Sequence, residues 1–157
     1  AIEFDNVCTL QLIFNIFRQR PTELLFEQAK KKNIGLIARV PLASGLLTGK
    51  FTKETTFGKD DHRTFNRNGE AFDKGETFSG IDYNKGLDAV EELKKHFPDY
   101  DLPLLALKWI LEFPEISCVI PGASSPQQLL NNLKVEEAPT LNQQQKDVIK
   151  HIYDTYI

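Results

Sequence analysis

Cysteine is scarce in this chain, and its two cysteines, Cys8 and Cys118, stand apart from each other inside apolar runs. We predict that both are small core residues, because they form neither a disulfide framework nor a Cys-x-x-Cys metal motif. The sequence also has no cluster of histidine with cysteine, so we expect no metal site.

Long apolar stretches and an excess of positive charge are also missing. No run approaches the roughly 18 apolar residues that a membrane span needs, and the first residues lack the basic-then-apolar order of a signal peptide. The formal net charge is -3, which gives no general attraction to nucleic acid or to an anionic membrane. A cytoplasmic location, without a nucleic-acid or membrane partner, is the default expectation.

What the sequence does contain is typical of one globular domain over residues 1–157. Its length of 157 residues, with 41% hydrophobic and 26% charged, allows a core of its own. Short apolar runs predict buried strands over residues 7–14, 35–40 and 117–120. Because these strands alternate with helical stretches, the pattern is typical of a parallel α/β sheet.

The helical stretches are marked by apolar stripes and by capping residues at their starts. In the first helix, Leu24, Leu25 and Ala29 are expected on the inner face. A capping box of Thr140 and Gln143 marks the start of the last helix. The first helix is predicted over residues 22–32, and further helices over residues 82–97, 101–112 and 126–133.

The regular pattern dissolves over residues 51–82, called here the long loop. A loop of this length in a compact domain is usually functional, often as a cover over an active site. The alternative is a disordered insertion, but four phenylalanines are many for a solvated linker. These are Phe57, Phe65, Phe72 and Phe78. We interpret the last three, with residues 75–77, as lining a substrate pocket.

Two predicted strands end in loops of small residues. The first loop (residues 41–50) ends in Lys50, and the second loop (residues 121–125) leads directly into a helix. Small side chains let backbone N–H groups approach an anion, and a helix N-terminus favours negative charge. The plainer alternative is that Pro41 and Gly45 only punctuate the exit of a strand. Two such loops after parallel strands match the phosphate site of a (β/α)8 barrel, although three strands are only part of one.

These segments resemble the aldo/keto reductase family. Residues 41–50 are similar to the loop after strand seven of that family's barrel, and residues 120–133 to its strand-eight cofactor motif. Residues 7–21, with Gln11 and Asn15, are similar to strand six and the loop after it. The resemblance is close to bacterial reductases and to potassium-channel β subunits. It implies a TIM barrel, of which this chain would be the C-terminal part, strands six to eight.

The resemblance implies NADP as the cofactor, with NAD as the alternative. Gln11 would bind the nicotinamide carboxamide, and Arg39 would stack on the nicotinamide face. Lys50 and Arg63 would bring positive charge to the phosphates. Gly122 would allow close approach of the cofactor. The remaining residues would be Val40, Pro41, Leu42, Ala43, Ser44 and Gly45 at the pyrophosphate, Ser124 and Gln128 at the 2′-phosphate side of the ribose, and Asn131 and Asn132 at the adenine.

Three of these assignments have open alternatives. Gln11 would otherwise be a core glutamine bonded to backbone, and Arg39 a salt-bridged arginine at the rim. Residues 119–133 contain no lysine or arginine, where many relatives have one, so the choice between NADP and NAD stays open.

The family reduces carbonyls with a tyrosine, a lysine, an aspartate and a histidine from the first half of its barrel, and no residue here matches them. We therefore expect no catalytic residue in this chain. The full-length parent would be an NADP-dependent oxidoreductase that transfers a hydride between nicotinamide and an aldehyde or ketone, while this chain alone would be inactive. The alternatives are a non-catalytic nicotinamide-binding regulatory module or degenerate remnant, and an unrelated sugar-phosphate barrel.

A partial parallel sheet leaves open edges, here at Val7 and Ser117. Closed barrels remove such edges, and an open edge offers unpaired N–H and C=O groups to another strand. We therefore expect this chain to pair with itself, to pair with a separate N-terminal half, or to be poorly soluble. The expected substrate of the complete enzyme is a small carbonyl compound.

Overall fold

The computed structural model describes residues 2–157 and contains a three-stranded parallel sheet. Its strands are β1 (Thr9–Ile13), β2 (Gly35–Arg39) and β3 (Ile116–Ile120), with β2 in the middle. All three lie within two residues of their predicted bounds. The predicted parallel α/β arrangement is therefore confirmed.

Helices connect the strands and cover one face of the sheet. They are α1 (Leu25–Lys31), α2 (His62–Phe65), α3 (Tyr83–His96), α4 (Leu102–Leu111), α5 (Pro126–Leu133) and α6 (Gln143–Tyr156). Short 3-10 helices occupy Arg20–Glu23, Ala43–Thr48, Lys74–Glu76, Phe78–Gly80 and Lys134–Glu136. Across residues 2–157, no helix has the length and apolar character needed to cross a membrane.

The core lies between the sheet and the helices. Because side chains alternate along a strand, Leu36 and Ala38 of β2 point to the same face, and both are fully buried there. Phe14, just after β1, stacks on Trp109 of α4 with ring centroids 5.1 Å apart. Ile149 of α6 is also fully buried in this cluster. The face of the sheet toward the helices is thus closed by apolar packing.

The opposite face of the sheet, called here the uncovered face, carries no such layer within the described residues. The strand register sets Gln11 level with Cys118 on this face, and Arg39 level with Ile120 one row nearer the C-terminal ends. Gln11, Cys118 and Ile120 are exposed. The prediction of buried strands was therefore wrong for Gln11, Cys118 and Ile120, because no layer of the described residues packs over this face.

The cysteines follow the same logic. Cys8 and Cys118 were predicted to be core residues, and both are exposed. Cys118 lies in edge strand β3 on the uncovered face, and Cys8 immediately precedes edge strand β1. An apolar run in the sequence therefore marked a strand correctly but not the burial of its side chains.

Two local predictions about helices were also wrong. Leu24 is 61% exposed, because α1 begins one residue later and buries Phe26 instead. The capping box of the last helix is formed by Asn142 and Gln145, each side chain accepting the other's backbone N–H at 2.9 Å. The helix therefore begins at Gln143 rather than after Thr140.

Candidate functional site

The first loop leaves β2 in an unusual backbone conformation. Ala43 and Ser44 have φ angles of 48° and 55°, and Val40 at the end of β2 has a φ of 52°. Each residue with a side chain costs roughly 1–2 kcal/mol in this left-handed region. Gly45 continues the turn at a φ of 98°, which a glycine adopts freely. Such a conformation persists only where neighbouring contacts hold it.

Those contacts come from the long loop and from Asn15. The Ser44 hydroxyl donates to the Glu76 carbonyl at 3.1 Å and accepts the Phe78 N–H at 3.0 Å. The fully buried Asn15 donates from Nδ2 to the Val40 carbonyl and to the Ser79 hydroxyl, both at 2.8 Å. The end of the long loop is thereby hydrogen-bonded to the start of the first loop, and the Ser44 hydroxyl makes two of these bonds.

The rest of the long loop is packed through aromatic rings. Phe57 contacts Phe51 edge to face, with ring centroids 5.2 Å apart, and Phe78 at 5.9 Å. The guanidinium of Arg63 lies 4.4 Å from the Phe57 ring centroid, within the range of a cation–π interaction. The long loop is therefore an ordered, packed segment and not a disordered insertion.

The second loop leaves β3 level with the exit of β2, since Arg39 pairs with Ile120 in the register. A Cβ built on Gly122 would have no atom within 4 Å. Ser125 caps α5 by accepting the Gln128 N–H at 3.2 Å. The Gln128 Oε1 in turn accepts the Ser124 N–H at 2.6 Å and its hydroxyl at 2.9 Å. Within residues 2–157, the hydrogen bonds that brace the second loop come from the helix that follows it.

Both loops line one groove of about 1000 Å³ beyond the C-terminal ends of β2 and β3. This is the arrangement expected if the two loops share one ligand, because they open toward the same end of the sheet. Most of the residues predicted for the cofactor are in its lining. They are Val40, Pro41, Leu42, Ser44, Gly45, Lys50, Arg63, Gly122, Ser124, Gln128, Asn131 and Asn132.

Three residues predicted for the cofactor do not line the groove. Ala43 is fully buried beneath the first loop, and Gln11 is exposed on the uncovered face. Arg39 forms a two-pronged ion pair with Glu76 of the long loop, with one N–O distance of 2.7 Å. The hydrogen bond to Glu76 raises the pKa of Arg39. This ion pair agrees with the salt-bridged alternative, while stacking of Arg39 on nicotinamide stays a prediction.

The phenylalanines assigned to a substrate pocket also lie away from the groove. Phe78 is buried in the core, and Phe65 and Phe72 meet edge to face with centroids 6.0 Å apart, each 43% exposed. The aromatic side chains of the long loop pack mainly on one another, and their place in a substrate pocket stays a prediction.

The groove has several cationic side chains, and sequence reasoning found only Lys50 and Arg63. Arg63 is paired with Asp61, and its hydrogen bonds lower the pKa of that carboxyl to about 2. Lys94 of α3 and Lys134 at the end of α5 also line the groove. Lys134 lies one residue beyond the segment searched for a cation, while Lys94 comes from a distant helix, so no local signal marks it.

Only some of these charges are free to meet an anion. Lys94 is paired with Glu91 at 2.7 Å, and Arg63 with Asp61 at 2.5 Å. Within the described part of the chain, neither Lys50 nor Lys134 has a carboxylate at ion-pair distance. The groove therefore offers two unpaired cations together with small-residue backbone, which is the chemistry of a site for phosphate groups.

Comparison with known proteins agrees with this geometry. The model of the aldo/keto reductase family matches residues 3–154. The aldo-keto reductase YhdN of Bacillus subtilis is 30% identical over 140 residues, covering 89% of this chain and 40% of that protein. A putative voltage-gated potassium channel subunit beta of Schizosaccharomyces pombe is 32% identical over 97 residues, covering 62% of this chain and 27% of that protein.

Among solved structures, the glycerol dehydrogenase AKR11B4 from Gluconobacter oxydans superposes with a TM-score of 0.75 at 26% identity. The match covers 95% of this chain and 43% of that one. The chain thus spans less than half the length of the relatives that it matches.

Proposed function

This chain belongs to the aldo/keto reductase family, and we propose that it is the part of an oxidoreductase barrel that binds the phosphates and the adenosine of NADP. One observation carries the proposal: two loops of small residues, from neighbouring parallel strands, open into a single groove. The volume of about 1000 Å³ suits a dinucleotide, whereas a lone phosphate needs far less space.

The residues of the groove fit a dinucleotide in charge and in hydrogen-bonding capacity. Lys50 at the end of the first loop faces the pyrophosphate in this proposal, and Gly122 leaves room for it. At the far end, the Asn132 Nδ2 is shielded from solvent and donates no hydrogen bond within residues 2–157. Buried polar groups normally have partners, so this donor suits an acceptor on the adenosine.

Lys134 supports the choice of NADP over NAD. It follows α5 directly, close in sequence to Asn131 and Asn132, and all three line the groove. NADP differs from NAD by a 2′-phosphate on the adenosine ribose. An unpaired ammonium group at that end of the groove would favour the additional negative charge. Lys134 thus supplies the cation that sequence reasoning did not find.

Calorimetric titration of this chain with NADPH and NADH tests the proposal. We expect NADPH to bind at least about tenfold tighter than NADH. Lys134→Gln should weaken the binding of NADPH by about tenfold and leave the affinity for NADH unchanged, since one charge-assisted contact is worth about 1.5–3 kcal/mol. Lys50→Gln should weaken the binding of NADPH and of NADH by a similar factor, because both cofactors contain the pyrophosphate.

Lys59→Gln serves as the matched control, since Lys59 is an exposed lysine of the long loop outside the groove. It should leave both affinities unchanged. Equal affinities for NADPH and NADH, or a loss of both in Lys134→Gln, would refute the assignment of Lys134. A chain that bound neither cofactor would overturn the proposed function and favour a barrel that binds a sugar phosphate.

The chemical step is proposed to need residues that this chain does not supply. The Tyr83 hydroxyl donates to the Thr52 carbonyl at 2.9 Å, and Gln145 donates to the Tyr100 hydroxyl at 2.8 Å. Neither tyrosine is at the end of a strand. In the complete enzyme, a proton donor from elsewhere would allow hydride transfer between nicotinamide and a small aldehyde or ketone. This chain alone is expected to bind cofactor without turnover.

We propose that the uncovered face and the edges at β1 and β3 are completed by further strands, from an N-terminal half or from a second copy. An open parallel sheet with one bare face exposes apolar side chains such as Ile120, which is 44% exposed. Residues 1–157 would then be one part of the barrel, and the long loop would cover the cofactor.

A second candidate is a nicotinamide-binding regulatory module without catalysis, which the similarity to a potassium channel subunit beta favours. Both candidates predict the same groove and the same binding. They differ in turnover: an added N-terminal half should restore carbonyl reduction in the first case and not in the second.

A further inference from the structure

A second cavity, called here the loop cavity, lies in the long loop and takes no part in the proposed function. Its volume is about 270 Å³, and its lining includes three cations, Lys53, Arg67 and Lys74. None of these three residues lines the large groove. The loop cavity is therefore a separate concentration of positive charge, too small for a dinucleotide.

Arg67 is held in place by its surroundings. Its guanidinium lies 4.9 Å from the ring centroid of Tyr83 and 5.6 Å from that of Phe78. Its Nε donates to the Arg63 carbonyl at 3.0 Å. No hydrogen bond from the two terminal nitrogens of Arg67 is present among residues 2–157. A guanidinium fixed on aromatic rings, with its terminal N–H groups free, is prepared for a planar or tetrahedral oxyanion.

The positive charge of the loop cavity is not neutralised by the protein. In the region that the structure describes, no carboxylate is within ion-pair distance of Lys53, Arg67 or Lys74. Asp82 is the one acidic residue among the lining side chains. Its Oδ1 already accepts two backbone N–H groups as the cap of α3. Like charges placed together are unfavourable unless an anion joins them.

We propose that the loop cavity binds a phosphate group, either free phosphate or a phosphomonoester. Arg67 is the central ligand, with Lys53 and Lys74 at the sides. The Thr55 hydroxyl, which accepts the Thr52 N–H at 2.8 Å, lines the cavity with its own proton free to donate. The wall between the two sites is Phe57, because Arg63 of the groove lies 4.4 Å from its ring centroid and Arg67 lies 5.8 Å from it.

The test is a phosphate titration of this chain followed by amide NMR spectra, at constant ionic strength maintained with chloride. We expect saturable shifts at residues 53, 55, 67 and 68. A parallel titration with glycerol phosphate distinguishes the two sources. Tighter binding of the ester indicates a phosphorylated small molecule, and tighter binding of inorganic phosphate indicates the free ion.

Variants assign the site. Arg67→Gln should weaken phosphate binding at least about tenfold, and the double variant Lys53→Gln/Lys74→Gln should weaken it severalfold. Both lysines are exposed, so the double variant decides the matter even if Arg67→Gln does not fold. Lys50→Gln, in the groove, should leave these shifts intact.

Shifts confined to groove residues, or an unchanged affinity in the double variant, would overturn the proposal. This outcome is independent of NADPH binding, which Lys50→Gln and Lys134→Gln report.

Discussion

The two loops that line the groove are similar in composition and very different in their surroundings. In the first loop, the Ser44 hydroxyl bonds to two backbone groups of the long loop, and the turn holds positive φ angles through Gly45. In the second loop, no atom lies within 4 Å of a Cβ built on Gly122, and the side-chain brace found in the described part of the chain is Gln128 of the following helix. Small residues therefore predict where an anion can approach, but not how firmly the loop is held.

The difference follows from the position of the parent strands. The strand β2 has a neighbour on each side, and its exit is covered by the long loop through Glu76. The strand β3 is at the edge, and its exit leads into α5. We infer that the first loop is held more firmly than the second.

The largest effect should come from adding one methyl group to each loop. In Gly45→Ala, the new Cβ would lie 2.8 Å from the Phe51 ring at a φ of 98°. Backbone strain and overpacking together should lower the free energy of unfolding by about 3 kcal/mol. Gly122→Ala should change it by less than about 0.5 kcal/mol. Urea unfolding monitored by circular dichroism measures both.

NADPH titration sharpens the same pair of variants. Gly122→Ala should weaken the binding of NADPH while the fold stays intact, because the added methyl group occupies space proposed for the phosphate. Equal losses of stability in the two glycine variants would show that the loops are held equally, against the comparison made above.

A smaller effect is expected from removing each loop's serine hydroxyl. Ser44→Ala leaves the Phe78 N–H and the Glu76 carbonyl without their partner, which should cost about 1–2 kcal/mol of unfolding free energy. Ser124→Ala loses one hydroxyl contact to Gln128 at an exposed position, which should cost about 0.5 kcal/mol or less. Thermal unfolding of the two variants under one buffer condition tests this order, and a reversed order contradicts it.

A further difference is a dependence of stability on pH that only the first loop should show. Asp61 holds Arg63 beside the first loop, and hydrogen bonds from Arg63 lower its pKa from 3.8 to about 2. Because the folded-state pKa is depressed, the stabilisation is complete above about pH 4 and is lost as the pH falls toward 2. The second loop has no titratable side chain.

The variant Asp61→Asn isolates this contribution. Its unfolding free energy should differ from that of the unmodified chain at pH 6, and the difference should shrink as the pH falls from 4 to 2. A difference that stayed constant over that range would mean that the carboxylate charge of Asp61 is not involved.

Much of the fold was predictable because its signals are local. The three strands, the helices that start near residues 82 and 101, and the placement of both loops at one end of the sheet follow from short stretches of sequence. Burial was not predictable in this way. An apolar strand such as β3 looks the same whether one face or both are covered, so its exposure depends on layers that no local pattern reports.

The site divides along the same line. Lys50 and Gly122 were found because they belong to recognisable loops. Lys94 was missed because only tertiary packing brings it to the groove. The ion pair between Arg39 and Glu76 joins residues 37 positions apart, so no local sequence pattern predicts it. Contacts that cross the fold are what sequence patterns leave out.

The exposure of Cys118 has a practical consequence. Its thiol lies on the uncovered face at the middle of edge strand β3, while Cys8, the other cysteine, precedes the opposite edge strand β1. A reagent that alkylates thiols will therefore reach Cys118 only while nothing packs on that face. The extent of alkylation at Cys118 relative to Cys8, measured by mass spectrometry, would therefore report whether the uncovered face is packed against other strands.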